Sequence, residues 1–178
     1  MDIYPGLFGH CDDFTIVTYS ILEQNFMYVS LPVLQKVKKL SFDTNGNVRL
    51  EKTIDLPNAS SPHGITLSKK YLYVCLNDLS SVYVYIAENH LLFKKITFDF
   101  PISCHVLYTF DDINLYIVNE DSDLYMYNVL SGIMTKLTND FFIALLSPFP
   151  EENKFVTNVY TTNTMQCINK KVKQGFFL

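Results

Sequence analysis

The amino-acid sequence predicts an all-β protein that is built from repeated four-stranded units. One observation is that apolar and polar residues alternate with a period of two over short runs such as Tyr71–Leu76 and Val82–Ile86, and that turn-forming residues separate these runs. A second is that similar runs recur along the chain, whereas no stretch shows a sustained period of 3.6 residues.

The repeat is clearest in one strand of each unit. These strands begin at Phe26, Leu72, Leu115 and Phe155, which are 46, 43 and 40 residues apart, and a further strand starts nine or ten residues after each of them. Repeats of this length with four strands each are typical of the blades of a β-propeller. The sequence therefore predicts a β-propeller-like array of about four blades, as either a small closed ring or a partial propeller.

Each unit also has one extended run before this pair of strands and one after it. We expect a single domain over residues 1–178, with units at about 10–56, 61–100, 102–139 and 141–178. The segment Val33–Leu40 comes nearest to a helical period, but its lysines and β-branched residues fit an edge strand equally well. The expected first strands are Phe14–Ile21, Gly64–Ser68, Val106–Phe110 and Phe142–Leu146, and the expected last strands are Val48–Leu56, Leu92–Phe100, Ile133–Thr138 and Val172–Leu178.

Composition narrows the classes of function. The net charge of −4 and the single arginine, Arg49, argue against a protein that binds double-stranded DNA through many phosphate contacts. The chain has no secretion signal at its first residues and no apolar run long enough to span a membrane, so we expect a cytoplasmic protein, with the nucleus as an alternative. The aromatic content of 15% beside only 18% charged residues indicates surface for a protein partner.

Two segments resemble known propeller families. The segment Ser61–Val74 contains Pro-His-Gly followed by a Tyr-Leu-Tyr-Val strand, and it resembles the blade opening of YVTN-repeat, lactonase-like propellers. The segment Asp123–Gly132 resembles the third strand of a WD-repeat blade, with Tyr127-Asn128 where the Trp-Asp pair would stand. These resemblances imply a propeller fold, and either a scaffold role or a lactonase-like activity.

Candidate ligand residues lie near the start of the first strand in the second and third units. His63 and His105 occupy similar places in the second and third units, and in a propeller the first strands line the central channel. The two imidazoles are therefore expected near one mouth, with Asp13 or Cys104 nearby, where they could bind a metal or small ligand. The simpler interpretation is that these histidines hydrogen-bond the backbone of a neighbouring blade.

Catalytic motifs are missing from the sequence. It contains no Gly-rich phosphate loop, no GxSxG elbow and no HExxH run, so we predict no catalytic residues and no cofactor. A hydrolase that uses His63 and His105 is the alternative.

The C-terminal segment combines positive charge with aromatic residues. It could bind a protein partner or RNA if it is free, and it would be core if it closes the last blade, which we favour because phenylalanines are mostly buried. The residues concerned are Lys170, Lys171, Lys173, Phe176 and Phe177.

Taken together, these features favour a non-catalytic docking or scaffold subunit that contacts protein partners in a larger assembly. A ribonucleoprotein such as a ribosome would suit the basic C-terminal segment. A lactonase-like hydrolase and a structural remnant of a longer propeller are the two alternatives. We expect contact with neither a membrane nor double-stranded DNA.

Overall fold

The computed structural model of the chain describes residues 16–21, 24–57, 61–76, 80–109, 111–121, 123–138, 143–149, 154–159 and 164–169. Over these residues the chain forms fifteen β-strands and no helix. Accordingly, no helix in the described part of the chain could cross a membrane. The strands are β1 (Ile16–Ile21), β2 (Gln24–Leu31), β3 (Lys36–Phe42), β4 (Val48–Asp55), β5 (Pro62–Leu67), β6 (Tyr71–Leu76), β7 (Ser81–Ile86), β8 (Leu92–Thr97), β9 (Ile102–Thr109), β10 (Asn114–Asn119), β11 (Leu124–Asn128), β12 (Met134–Thr138), β13 (Ile143–Phe149), β14 (Lys154–Val159) and β15 (Thr164–Asn169).

The strands pair into four antiparallel sheets in which neighbours along the chain are also neighbours in space. The first sheet has the order β1-β2-β3-β4, the second β5-β6-β7-β8, the third β9-β10-β11-β12 and the fourth β13-β14-β15. The predicted fold class is confirmed: the protein is all-β and forms a propeller-like array of four small sheets.

The first strands of the sheets lie beside one another. β5 contacts both β1 and β9, and β9 contacts β13, so the sheets succeed each other in chain order. Because each sheet presents its first strand to the next sheet's first strand, the later strands of each sheet extend outward from this line. This is the arrangement of blades in a propeller.

Side chains from alternate positions of β6 pack into two different cores. Leu72, Val74 and Leu76 face the first sheet, where they form one buried cluster with residues of β2, β3 and β4. Tyr73 and Cys75 face the third sheet and lie in a second cluster with residues of β9 and β10. Alternation therefore assigns each β6 residue to its face as the sequence predicts, because successive strand residues point to opposite sides. Each core joins two sheets.

A polar turn connects β10 to β11, in agreement with the turn residues in this segment. The Asn119 side-chain oxygen accepts a hydrogen bond from the Asp123 backbone N–H at 2.7 Å, and the Asn119 N–H donates to the Asp123 carbonyl at 3.1 Å. These bonds close the hairpin, since asparagine and aspartate side chains replace backbone partners in turns.

One strand differs in position from the prediction. The segment Val33–Leu40 was expected to fit an edge strand, but β3 begins at Lys36 and lies between β2 and β4. Gln35 belongs to the preceding turn, where it has a positive φ of 54°. The lysines of β3 sit in an interior strand because two of its other residues, Val37 and Leu40, are fully buried and hold the strand in place.

Candidate functional site

The structure places His63 on β5, beside the first sheet. Its side chain is half-buried, and its carbonyl oxygen accepts a hydrogen bond from the Ser30 hydroxyl at 2.6 Å. Ser61 Oγ lies 3.3 Å from His63 Nε2, within hydrogen-bond distance. The His63 backbone thus helps to join the first two sheets, whereas its imidazole lies beside Ser61 of the same segment, so the predicted bond from the imidazole to the backbone of a neighbouring blade stays a prediction.

The remaining members of the predicted ligand site are only partly described. Cys104 and His105 lie on β9, which contacts β5, so the two predicted histidines occupy adjacent first strands. The positions of the Cys104 and His105 side chains, and all of Asp13, lie outside the described part of the chain. Among the described side chains, no group of three or more histidine, cysteine, aspartate and glutamate residues could hold a metal ion. The ligand site therefore stays a prediction.

The C-terminal binding segment also stays a prediction. The last described strand, β15, ends at Asn169. The predicted residues Lys170, Lys171, Lys173, Phe176 and Phe177 lie outside the described residues.

Four turns of the second and third sheets meet along one edge. The Lys70 backbone N–H donates to the Asp112 carboxylate at 2.7 Å, which joins the β5–β6 turn to the β9–β10 turn. Lys70 also accepts, through its carbonyl, a hydrogen bond of 2.8 Å from the Ala87 N–H. The Val129 N–H donates to the Ile113 carbonyl at 2.8 Å, so the β11–β12 turn adjoins the β9–β10 turn. These bonds fix the four turns as one continuous edge.

This edge carries an unusual concentration of exposed apolar side chains. Of the ten large hydrophobic residues exposed in the described part of the chain, seven lie in these turns or at the starts of β8 and β12. Leu130 is 65% exposed and Leu91 is 62% exposed. Because contiguous apolar surface is uncommon on isolated proteins, such a set is typical of a contact surface. We call these residues the apolar rim: Leu91, Leu92, Phe93, Ile113, Leu130, Ile133 and Met134.

Polar residues of the turns explain why the apolar rim points outward. The Asn128 side-chain oxygen accepts hydrogen bonds from the N–H groups of Leu130 at 3.1 Å and Ser131 at 2.9 Å. Gly132 takes a positive φ of 76°, which glycine adopts at little cost. With the turn closed by its own polar groups, Leu130 and Ile133 are not needed to stabilise it and remain exposed to solvent.

The two halves of the apolar rim are held together by a lysine. Lys94 of β8 donates a hydrogen bond from Nζ to the Val129 carbonyl at 3.0 Å, and its ammonium lies 5.4 Å from the centre of the Tyr127 ring. Phe93 stacks on Tyr71 with a centroid distance of 5.1 Å. The rim is thus supported by the contacts of Lys94, which join the second sheet to the third, and by a ring contact within the second sheet.

A group of polar side chains lies between the first and second sheets. The hydroxyl of Tyr28 on β2 lies 2.8 Å from Nε2 of His90, which belongs to the β7–β8 turn. Lys39 Nζ lies 4.2 Å from the centre of the Phe26 ring and 5.7 Å from that of Tyr28. Lys39 of β3 is directly opposite Lys52 of β4. We call this site, formed by Tyr28, Lys39, Lys52 and His90, the basic groove.

Burial and charge shift the pKa values of two groups in the basic groove. Burial raises the pKa of Tyr28 to about 12. The pKa of His90 is lowered, first by its burial and then by the positive charges of Lys39 and Lys52. Both groups are therefore neutral at pH 7, and a hydrogen bond joins the Tyr28 hydroxyl to His90 Nε2 without a charge on either ring.

Sequence reasoning missed both the apolar rim and the basic groove. A local signal for the rim was present, because Leu91-Leu92-Phe93 breaks the alternation expected at the start of a half-buried strand. The groove had no such signal. Tyr28 and His90 are 62 residues apart, and only the packing of two sheets brings them together.

Comparison with known proteins supports the fold alone. No protein-family model and no curated protein matches the chain. Among solved structures, the chain is similar to a candidate 6-phosphogluconolactonase from Bacteroides uniformis, with 13% identity and a TM-score of 0.63 over 86% of this chain and 49% of that one. It is similar to a protein from Lactobacillus plantarum, with 16% identity and a TM-score of 0.62 over 92% of this chain and 55% of that one.

U3-55K is a third similar structure, with 15% identity and a TM-score of 0.62 over 87% of this chain and 51% of that one. The chain thus spans about half the length of these three proteins. Identities this low establish a shared propeller-like architecture and carry no activity with them.

Proposed function

We propose that the protein is a docking module that binds a protein partner through the apolar rim. The single observation that carries this proposal is the concentration of seven exposed apolar side chains on one edge of two adjoining sheets. Rigid strands hold the rim in place, and binding surfaces are commonly built from turns on such a scaffold. Removing these side chains from water on binding would supply the main driving force.

The composition of the rim fits a protein partner better than a small ligand. Small-molecule sites are concave and bury most of the ligand. The rim is instead formed by turns and strand ends at the edge of the sheets, and exposed aromatic and methionine side chains such as Phe93 and Met134 are enriched in protein interfaces.

The proposal is tested by cross-linking the purified chain to its partner in native extract and comparing two matched variants. The double substitution Leu130→Asp and Ile133→Asp places two charges on the rim. The control, Leu50→Asp, changes a leucine that is 41% exposed on β4 of the first sheet, away from the rim. We expect one partner to be captured by the wild type and the control and lost from the rim variant.

Two results would contradict this function. Capture that is equal for the wild type and the rim variant would show that the rim is not the contact surface. A wild-type chain that forms a homodimer, which the rim substitutions dissociate, would show that the rim binds a second copy rather than another protein. Light scattering on the purified chains distinguishes the second result.

A lactonase-like hydrolase is the second candidate function. Its support is the similarity to a candidate 6-phosphogluconolactonase, together with His63 and His105 on the adjacent strands β5 and β9. The test is hydrolysis of a panel of sugar lactones by the wild type and by the variants His63→Ala and His105→Ala. Turnover that needs both histidines would favour the hydrolase, and absence of turnover by the wild type would remove it.

The predicted RNA contact through Lys170, Lys171 and Lys173 is a further part of the proposal, in which the docking module belongs to a ribonucleoprotein. Binding of a single-stranded RNA oligonucleotide by the wild type, but not by a chain with these lysines changed to glutamine, would support it.

A structural remnant of a longer propeller is the remaining alternative, and it agrees with a chain that spans about half of U3-55K. This role would be favoured if deletion of the protein disrupted a larger assembly while substitutions on the apolar rim left that assembly intact.

A further inference from the structure

The basic groove places two lysines against each other on one face of the first sheet. Lys39 and Lys52 are directly paired across β3 and β4, so their side chains emerge side by side. The same face carries Tyr28, Val37 and Ile54, which pack against the second sheet. Both lysines therefore lie on the face of the first sheet that packs against the second sheet.

Like charges directly opposite each other on antiparallel strands destabilise a sheet. Lys39 gains some compensation from the faces of Phe26 and Tyr28, since aromatic rings attract cations. Lys52 is exposed and makes no such ring contact among the described residues. Neither lysine makes an ion pair with a carboxylate in the described part of the chain. The pair is thus a local excess of positive charge.

Two carboxylates lie close to the two lysines or to His90 along the chain. Glu51 lies close to the two lysines in the chain, but its carboxylate is 3.5 Å from Arg49 Nε and accepts a hydrogen bond of 2.6 Å from the Ser41 hydroxyl. Glu88 precedes His90 in the same turn and is exposed to solvent.

Lys95 adds a further cation on the face of the second sheet that looks toward the first. Its ammonium lies 5.5 Å from the centre of the Tyr83 ring, which is part of the core between the two sheets.

His90 adds a group whose charge responds to an anion. Its hydrogen bond to Tyr28 places it beside the strand pair that carries Lys39 and Lys52, and its pKa is lowered first by burial and then by the positive charges of these two lysines. The turn holds it there, with a positive φ of 61° and a hydrogen bond of 2.8 Å from its N–H to the Ile86 carbonyl. A bound anion would reverse the electrostatic effect and favour the imidazolium.

We propose that the basic groove is a binding site for a phosphate monoester, held by the ammonium groups of Lys39 and Lys52 and by the imidazolium of His90. A dianion matches the two adjacent lysines in charge, and its oxygens accept several charge-assisted hydrogen bonds. His90 precedes Leu91 of the apolar rim in the β7–β8 turn, but none of Lys39, Lys52 and His90 is a rim residue, so the phosphate site does not depend on the docking proposal.

The phosphate is preferred over a carboxylate because of the charge that must be balanced. A single carboxylate would neutralise one of the two lysines and leave the other. A phosphate monoester carries between one and a half and two negative charges at pH 7, roughly the charge of the pair. Protonation of His90 on binding then supplies a third cation.

The test is a titration of the full chain, with nuclear magnetic resonance detection of its histidine and lysine side chains. Inorganic phosphate, glycerol 3-phosphate and O-phosphoserine are the probes, and sodium chloride keeps the ionic strength constant. We expect saturable binding, shifts at His90 and Lys52, and a higher pKa of His90 in the bound state. Stronger binding of glycerol 3-phosphate identifies a small metabolite as the source, and stronger binding of phosphoserine identifies a phosphorylated protein segment.

Substitutions at Lys52 separate binding from structure. Lys52→Gln should weaken phosphate binding by about tenfold, the loss of one charged hydrogen bond. Lys52→Glu should abolish binding and also raise the denaturant midpoint, since it replaces a repulsive pair with an attractive one. The control, Lys69→Gln with Lys70→Gln, removes two exposed lysines from the β5–β6 turn and should leave affinity unchanged.

Three outcomes would overturn the site: equal weakening by the control, binding of sulfate or chloride that equals that of phosphate, or binding unaffected by Lys52→Glu. Because the Lys52→Glu variant is expected to be more stable than the wild type, a loss of binding in it cannot be attributed to unfolding.

Discussion

The Tyr28 hydroxyl lies 2.8 Å from Nε2 of His90 and joins the first sheet to a turn of the second. Both rings are in contact, with centroids 5.8 Å apart. Burial raises the pKa of Tyr28 to about 12, and burial followed by the charges of Lys39 and Lys52 lowers the pKa of His90, so both groups are neutral at pH 7. The hydrogen bond therefore joins two neutral groups.

We predict that Tyr28→Phe lowers the free energy of unfolding by about 1 kcal/mol, the net value of one hydrogen bond. The partner substitution is His90→Asn, because asparagine tolerates the positive φ of this position. Urea denaturation of both single variants and the double variant gives their coupling energy. Additive effects of the two substitutions would show that the hydroxyl and the imidazole do not interact.

Protonation of His90 should destabilise the fold. Its pKa is lowered below the ordinary value of 6.5 in the folded chain, so the unfolded chain binds more protons in this range. The free energy of unfolding is therefore expected to fall as the pH decreases from 6.5 through the lowered pKa. The measurement compares the unfolding of the wild type with that of His90→Asn at each pH, which isolates the contribution of His90. A variant with the same pH dependence as the wild type would contradict the prediction.

Packing between the first two sheets should dominate stability. Leu72 is fully buried in their shared core, and Leu72→Ala is expected to lower the free energy of unfolding by about 2–5 kcal/mol, the sum of lost burial and a remaining cavity. The matched control is Leu92→Ala, at a leucine that is 51% exposed on the apolar rim. Guanidinium denaturation should show little change for the control. A similar loss in both variants would mean that the rim is part of the core.

The repeat and the alternation predict most of the fold because both reflect local geometry. A strand residue points to one face or the other by its position alone, so the sequence is enough to assign Leu72 and Tyr73 to opposite faces of their sheet. The meander follows for the same reason, since short polar turns allow consecutive strands only an antiparallel pairing.

Contacts between sheets, and the register of strands within a sheet, could not be predicted in this way. The Tyr28–His90 bond depends on the angle and spacing of two sheets, and the Lys39–Lys52 pair depends on the register of β3 with β4, which shifts at a bulge beside Lys39. The lysines of β3 suggested an edge strand, whereas the predicted four-strand unit, with Val48–Leu56 as its last strand, already implied the interior position that the structure shows. His63 was predicted to lie at the entrance to a first strand, and it lies near the start of β5.

The β11–β12 turn links backbone strain to the proposed docking surface. Gly132 has a positive φ of 76°, and a Cβ added there would meet only the Tyr127 hydroxyl, at an ordinary 3.6 Å. Any cost of Gly132→Ala therefore arises from the backbone, and we expect it to be about 1–2 kcal/mol in the free energy of unfolding. Gly132→Asn is the control, because asparagine adopts this conformation more readily. If alanine relaxes the turn, Leu130 and Ile133 move with it, so partner capture should weaken for Gly132→Ala and persist for Gly132→Asn. Equal stability of the alanine and asparagine variants would show that the turn does not require a left-handed residue.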